Sequence, residues 1–450
     1  MHSAEIKKVH FIGVGGIGMS ALAYYFISKK IKVSGYDNIQ SSITSKLVSN
    51  GAEIFYEDDI TLIEDINSID LVIYTPAINN ENKQLTFFQN HDFNLLKRSD
   101  VLGDISNLYK TIAVAGTHGK TTTSSIVAHI LKTAHKEGAC FVGGITSNYE
   151  SNFLLGNGDL SVMEADEYDK SFLKLNPDSI VLTSIDPDHL DIYGTKENLH
   201  NSFLEFCKLL KNQNKFIVEE SISKFFDENL VYGFGDQCNL RIINVKISNG
   251  KYLFDFSYEG VIHKDFSLKM PGIYNLLNAA GAALACIVNE ISLDEIRIGL
   301  SSYKGVKRRF EIKFDNSKIT YIDDYAHHPN EIISLLSAVK EFYPDKKLIG
   351  IFQPHLFSRT QDFLNEFAQS LSLLDDLFLL PIYPAREKPI EGVSSDVLLE
   401  KVNLDNKKLI HSPKELFTHL ELESDFLLLT IGAGDIDQWV NDLIKYLQSR

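Results

Sequence analysis

With 450 residues, 44% of them apolar and 23% charged, the chain has the make-up of a globular protein of about three domains. Its formal charge of −16 excludes a general nucleic-acid or membrane-surface binder, which would need a basic face. It leaves anionic substrates open, because glycine nests and local lysines can hold those. The four cysteines, Cys140, Cys207, Cys238 and Cys286, are scattered with no C-x-x-C pair, which argues against a zinc site or disulfide framework and fits a reducing, cytoplasmic setting.

Strand-like runs alternate with helical ones throughout, the pattern of α/β layers on parallel sheets. The uncharged run from His10 to Ile27, behind Lys7 and Lys8, has the outline of a signal peptide, but four glycines interrupt its apolar centre. It reads instead as strand, turn and helix. Gly13, Gly15, Gly16 and Gly18 form the dinucleotide fingerprint, and Asp37 ends the next strand, KVSGYD, where a ribose-binding acid belongs. A glycine turn at a helix N-terminus recognises a pyrophosphate whatever is attached to it, so NAD and a UDP-sugar fit equally. A further strand, LVIYTPAI, follows near residue 71.

The most informative stretch is residues 109–125, YKTIAVAGTHGKTTTSS, an apolar strand running through a glycine turn into a helix. Backbone N–H groups of Gly116, Thr117, His118 and Gly119 would form a nest for polyphosphate. Lys120 would reach the terminal phosphates, and the Thr121 or Thr122 hydroxyl would face Mg²⁺. The spacing is compressed, with Val114 where the standard phosphate loop has its first glycine. The alternative is a plain strand-to-helix turn with a solvated lysine, which three successive hydroxyls disfavour.

Two later strands end in acids, SVMEADE and SIVLTSIDPDHLD. Glu164 is a candidate Mg²⁺ ligand and His189 a candidate for a second metal shell, while Asp166, Glu167, Asp186, Asp188 and Asp191 are ligands, supporting groups or surface charge. Residues 230–270 alternate like a small antiparallel sheet, and the helix NLLNAAGAALACIV follows. In the last third, the strands TYIDDY, KLIGIFQP, LFLLPIY and FLLLTIGAG end in polar or glycine-rich residues, where open α/β sheets bind ligands. Arg308 and Arg309 offer guanidinium groups for phosphoryl oxygens. The segments DDYAHHP and QPHLFSRT gather titratable groups at two strand ends.

Taken together, HFIGVGGIGMSALA, GTHGKTTT, EADEYDKSFL, DPDHLDIYG, NLLN, VKRRFE, DDYAHHP, FQPHLFSRT and GAGD resemble the Mur ligase family over nearly the entire chain. The resemblance implies an α/β fold of three domains: a Rossmann-like UDP-sugar-binding domain over 1–106, a P-loop-type ATPase domain over 107–304, and a Rossmann-like amino-acid-binding domain over 305–450. It implies ATP-dependent amide-bond formation in peptidoglycan synthesis, with ATP and Mg²⁺ as cofactors. The branch it matches joins L-alanine to UDP-N-acetylmuramate; the branch that recycles murein tripeptide is the nearest alternative. By family position, Thr121, Glu164 and His189 would serve the metals, and Asn275 and Asn278 the adenine. Arg309 and Asp324 would contact ATP, His327 and His355 would face substrate, and Arg359 would take the amino acid's carboxylate. Three residues depart from the alanine-adding pattern: Leu356 for an arginine, Tyr274 for a histidine and Ala326 for a glycine. Outside the family, a nicotinamide-dependent oxidoreductase and a non-catalytic nucleotide-binding regulator remain open.

Overall fold

The structure, a computed structural model, describes residues 6–79, 81–186, 190–227, 229–248, 250–316, 318–385, 387–420 and 425–449. The architecture is α/β, as the alternation of runs implies, on three sheets. The chain forms two compact units. One comprises Met1–Lys246, Leu253–Leu268 and Tyr274–Lys304; the other comprises Ile247–Tyr252, Lys269–Ile273 and Gly305–Arg450.

The first unit opens with a five-stranded parallel sheet ordered Glu53–Phe55, Lys32–Tyr36, Lys8–Ile12, Leu71–Tyr74 and Leu95–Lys97. Its three inner strands are the expected ones; the two edge strands have three residues each and carry too little pattern to be read. The larger sheet has ten strands. Lys110–Ala115 lies at its centre, between Ser179–Leu182 and Leu160–Glu164, and all three run parallel. Such strands are covered on both faces and read as continuous Val/Ile/Ala runs rather than alternating ones. The strands expected as a separate antiparallel sheet, Leu240–Ser248, Lys251–Tyr258 and Val261–Leu268, instead extend this large sheet from the edge beyond Leu230–Gly233. The alternation was real, because one face of that extension is open to water, but it marks a sheet's end rather than a new sheet.

Helix Ile17–Ser28 joins the two sheets. It is apolar all round, as a helix covered on both sides must be. Phe26 packs edge-on to Phe11 of the small sheet at 6.1 Å, while Tyr25 packs on Phe141 at 5.9 Å and on Phe153 at 6.1 Å in the large one. Burying each such side chain is worth about 1.5–3 kcal/mol, so the helix is a structural weld. Asn152 pins its first turn, donating to the Ile17 carbonyl at 2.6 Å and to Ser20 Oγ at 2.9 Å. The two glycine turns are therefore held by one core.

The second unit is a six-stranded sheet ordered Glu311–Asp315, Ile319–Asp324, Phe426–Ile431, Lys347–Phe352, Asp376–Leu379 and Asn406–Leu409. Only the first strand runs antiparallel to its neighbour. The order is non-sequential between Ile319–Asp324 and Lys347–Phe352, so Phe426–Ile431 lies between them. That interruption is the switch point at which such sheets open a crevice at the strands' carboxyl ends.

Candidate active site

Strand Lys110–Ala115 ends at Gly116 with φ +130°, and Gly119, with φ +83°, precedes helix Lys120–Thr133. Both conformations are costly for a residue with a Cβ. A Cβ on Gly119 would also lie 2.5 Å from Asn278 Oδ1. Gly119 occupies the N-cap position but supplies no side-chain cap, which leaves the helix's first N–H groups for an anion. The turn is braced from the next strand: Ser184 Oγ accepts from the His118 N–H at 2.7 Å and bonds Thr117 Oγ1 at 2.9 Å.

Lys120 folds back over the turn, with Nζ donating to the Gly116 carbonyl at 2.6 Å and to Glu167 Oε1 at 2.7 Å. Glu167 is fully buried. Burial works against the lysine's charge, but Glu167, Asp166 and Glu164 together more than offset it and hold the ammonium above its usual range. Glu164 and Glu167 are pushed up from the carboxylate range, first by burial and further by Asp166, with Lys120 opposing. The lysine therefore stays charged amid three carboxyl groups.

Glu164 ends its strand level with Val114 and accepts from Thr121 Oγ1 at 3.0 Å and from the Gly143 N–H at 3.0 Å. Of the two threonines it is Thr121, not the buried Thr122, that bonds the carboxylate, joined by Ser124 Oγ at 3.4 Å. Glu164 has no ion-pair partner among the described residues, and no group of three metal-binding side chains occurs among them. A carboxylate and a hydroxyl amid further carboxyl groups fit Mg²⁺, which binds through one or two carboxylates plus substrate phosphates rather than an all-protein cage. His189, expected beside it, lies outside the described residues, as does Asp188. Asn275 and Asn278 are buried on helix Ile273–Ile287, and Thr123 Oγ1 donates to Asn278 Oδ1 at 3.2 Å, setting that helix against the phosphate turn.

The first glycine turn is fastened differently. Gly13 and Val14 donate to the Tyr36 carbonyl at 2.8 and 3.0 Å, and Asp37 accepts from the Gly15 N–H at 2.7 Å and from the Ile39 N–H at 3.2 Å. Asp37 thus holds the turn itself, a role the ribose expectation had not included. Beside it is a cavity of about 540 Å³, lined by Gly13, Gly16, Asp37, Asp58, Thr75 and Asn82 among others. A second cavity of about 300 Å³ shares Gly16, Thr75 and Ala77 with it and extends past Gly18 and Arg98 to Gly143, Glu164 and Asp166. The two adjoining cavities thus form a passage from the first glycine turn to Glu164, the carboxylate that Thr121 bonds just after the second turn.

In the second unit the titratable groups collect at the strand ends flanking the switch point. Asp324 accepts from the Phe310 N–H at 2.6 Å and the Ala326 N–H at 2.8 Å. Burial raises its carboxyl to about 6 against the pull of Arg309 and those two donors. The adjacent arginines separate sharply. Arg308 is bound internally, to Asp323 at 3.4 Å and to the Gly432 and Gly434 carbonyls. Arg309 lies over the Tyr325 ring at 5.3 Å and has no ion-pair partner among the described residues.

His327 Nδ1 donates to the Tyr325 carbonyl at 3.0 Å, and Glu331 lies 3.4 Å away. Burial lowers its pKa, with Glu331 opposing and Arg359 and Arg309 adding to the fall. His355 stacks on Tyr383 at 5.7 Å, stands 6.4 Å from the His327 ring, and has Arg359 Nη1 3.5 Å from its Nδ1. Leu356 has φ +71°, an uncommon conformation for a bulky residue, and its N–H is held by the Tyr383 carbonyl at 2.9 Å. The structure thus gathers Arg309, Asp324, His327, His355 and Arg359 in one unit and the phosphate turn, Glu164 and the asparagines in the other.

Two groups escaped the sequence: Ser184 had no signal beyond its strand end, and Arg98 had none at all. Glu167 was a candidate, but undistinguished from the other acids beside it.

The family models match in chain order: "Mur ligase family, catalytic domain" over 8–110, "Mur ligase middle domain" over 114–286 and "Mur ligase, glutamate ligase domain" over 308–434. The chain belongs to the Mur ligase family. Among relatives of this Mur ligase, the UDP-N-acetylmuramate--L-alanine ligase of Cytophaga hutchinsonii is 44% identical, covering 100% of this chain and 99% of that one. The enzyme of the same name from Flavobacterium psychrophilum is 44% identical with full coverage of both chains. The crystal structure of UDP-N-acetylmuramate-alanine ligase from Thermotoga maritima matches with a TM-score of 0.84 at 28% identity, covering 98% of this chain and 99% of that one.

Proposed function

We propose that this chain is an ATP-dependent ligase joining L-alanine to the carboxylate of UDP-N-acetylmuramate, a step in peptidoglycan precursor synthesis. The observation that carries the reading is the passage from the pinned first turn to Glu164 at the second. An acyl acceptor whose diphosphate is nested at Gly13–Gly18 is thereby led to the place where phosphoryl transfer occurs. The full-length relatives that bear the alanine ligase's name support the same substrate pair.

A carboxylate is a poor acyl donor because its oxide is a poor leaving group. Transfer of the γ-phosphoryl of ATP gives an acyl phosphate, and the amine of alanine then displaces phosphate through a tetrahedral intermediate. The nest Gly116–Gly119 holds the triphosphate, and Lys120 exchanges its contacts with Gly116 and Glu167 for phosphoryl oxygens. Glu164 and Thr121 would hold Mg²⁺, which when bound neutralises charge on the phosphoryl oxygens. Asn275 and Asn278 brace the nucleotide end, and Arg309, the unengaged guanidinium, serves ATP with Asp324. His327, His355 and Arg359 form the amino-acid end, Arg359 taking the carboxylate. We assign the sugar nucleotide to residues 1–106, ATP to 107–304 and the amino acid to 305–450. No described helix is long and apolar enough to cross a membrane.

The test is ADP release across an amino-acid panel with UDP-N-acetylmuramate present. Turnover with L-alanine, and none when either partner is omitted, is the expected result. Turnover with a murein tripeptide in place of L-alanine would move the chain to the recycling branch.

A further inference from the structure

Arg98 begins the helix Arg98–Ser106, straight after the edge strand Leu95–Lys97. Among the described residues it is the only lysine or arginine lining the 300 Å³ cavity, whose other charged residues are Glu164 and Asp166. Asp166 holds the guanidinium at 3.5 Å from one side. Gly18 lies against it from another: a Cβ there would be 2.6 Å from Arg98 Nη1 and 3.0 Å from its Cδ. The third glycine of the fingerprint, whose usual reason is close helix–strand packing, here clears space for an arginine. A guanidinium has five N–H donors, and one carboxylate on one edge leaves the rest for a second acceptor. Asp166 makes a single ion pair, with Arg98 less than one-fifth exposed, so the group is oriented rather than neutralised by a bidentate clamp.

We infer that Arg98 selects the sugar nucleotide by its carboxylate, holding that group in the passage from the first glycine turn to Glu164. The inference rests on the proposed function. An acidic passage would otherwise repel the lactyl carboxylate as it nears Glu164 and Asp166. One oriented arginine offsets that repulsion and favours a planar, bidentate anion over a neutral hydroxyl. Arg98 is thus a substrate-binding, specificity-determining residue.

The experiment compares binding of UDP-N-acetylmuramate and UDP-N-acetylglucosamine, which lacks the lactyl carboxylate, to the full chain by calorimetry. The wild-type chain binds the muramate more tightly. Arg98→Gln weakens it about 10–100-fold, the range for losing a charged hydrogen bond, and leaves the glucosamine nucleotide within about twofold. Retained glucosamine binding also reports that the variant is folded. Equal weakening of both ligands would overturn the assignment and place Arg98 on the diphosphate or in the scaffold, and an unchanged muramate affinity would overturn it outright. A wild-type chain that binds neither nucleotide sugar would instead overturn the function on which the inference rests.

Discussion

The two glycine turns of the first unit share a plan and differ in charge. Each follows a buried parallel strand and opens a helix whose first N–H groups are free of side-chain caps. The first is fixed by an acid, Asp37, that accepts from its own backbone, and has no lysine. The second carries Lys120 amid three carboxylates, two of them forced by burial above their usual range. A nest without a lysine suffices to bind a diphosphate that does not react. A site that must transfer a phosphoryl group keeps mobile positive charge within reach and a carboxylate awaiting a cation.

The sharpest way to break that contrast is Lys120→Ala. ADP release should fall by about 10³-fold or more, since electrostatic stabilisation of transferring phosphoryl groups is of that order. Calorimetry should show UDP-N-acetylmuramate still bound at the first turn. Glu164→Gln should cost about 10²–10³-fold in turnover, partly recovered at high Mg²⁺; a loss indifferent to Mg²⁺ would remove the metal role.

The second unit offers a parallel contrast in its adjacent arginines. Arg309→Ala should lower turnover by about 10²-fold while leaving the melting free energy within about 0.5 kcal/mol, as for other unengaged side chains. Arg308→Ala should instead destabilise by about 3–5 kcal/mol, because it strands the buried Asp323. Differential scanning fluorimetry beside steady-state kinetics separates the two.

Asp324 gives the pH prediction. Its carboxyl is raised to about 6, so the proton is favoured in the fold. Its contribution to stability is full below the unfolded value near 3.8 and is lost as pH rises through about 6. The ionised form, which the nearby charge of Arg309 favours, is present above that pH. kcat/KM for ATP should therefore show an acid limb near pH 6, which Asp324→Asn should abolish. The smallest expected effect is at the first turn. Gly15→Ala places a Cβ 2.8 Å from Asp37 Oδ2, and should raise KM for the sugar nucleotide severalfold with kcat for bound substrate little changed.

Much of this was legible because strand ends are where parallel sheets bind ligands, and strand ends are marked by where apolar runs stop. Glu164, Lys120, Asp324 and His355 all stand at such stops, so their neighbourhoods followed from pattern. Other features depend on packing that no local pattern records. Asp37 was readable as an acid after a strand, but not as the clasp of its own glycine turn, which requires Asp37 and Gly15 to meet. Arg308 and Arg309 are equivalent in sequence and both lie over the Tyr325 ring, yet only Arg308, at φ +59°, also bonds Asp323 and the Gly432 and Gly434 carbonyls. Arg98 opens a helix after a three-residue strand and touches Gly18 across 80 positions, a contact that exists only once the small sheet has formed. The strands after residue 240 were correctly seen as alternating but assigned to the wrong sheet, since alternation reports a solvated face and not which edge a strand joins.

The account's central claim is that the lysine-bearing turn activates a carboxylate delivered from the first. It is tested most directly with UDP-N-acetylmuramate labelled with ¹⁸O in its lactyl carboxylate, turned over with ATP and L-alanine. An acyl phosphate requires one labelled oxygen to appear in the inorganic phosphate at each turnover. Phosphate that leaves unlabelled while the amide forms would contradict it.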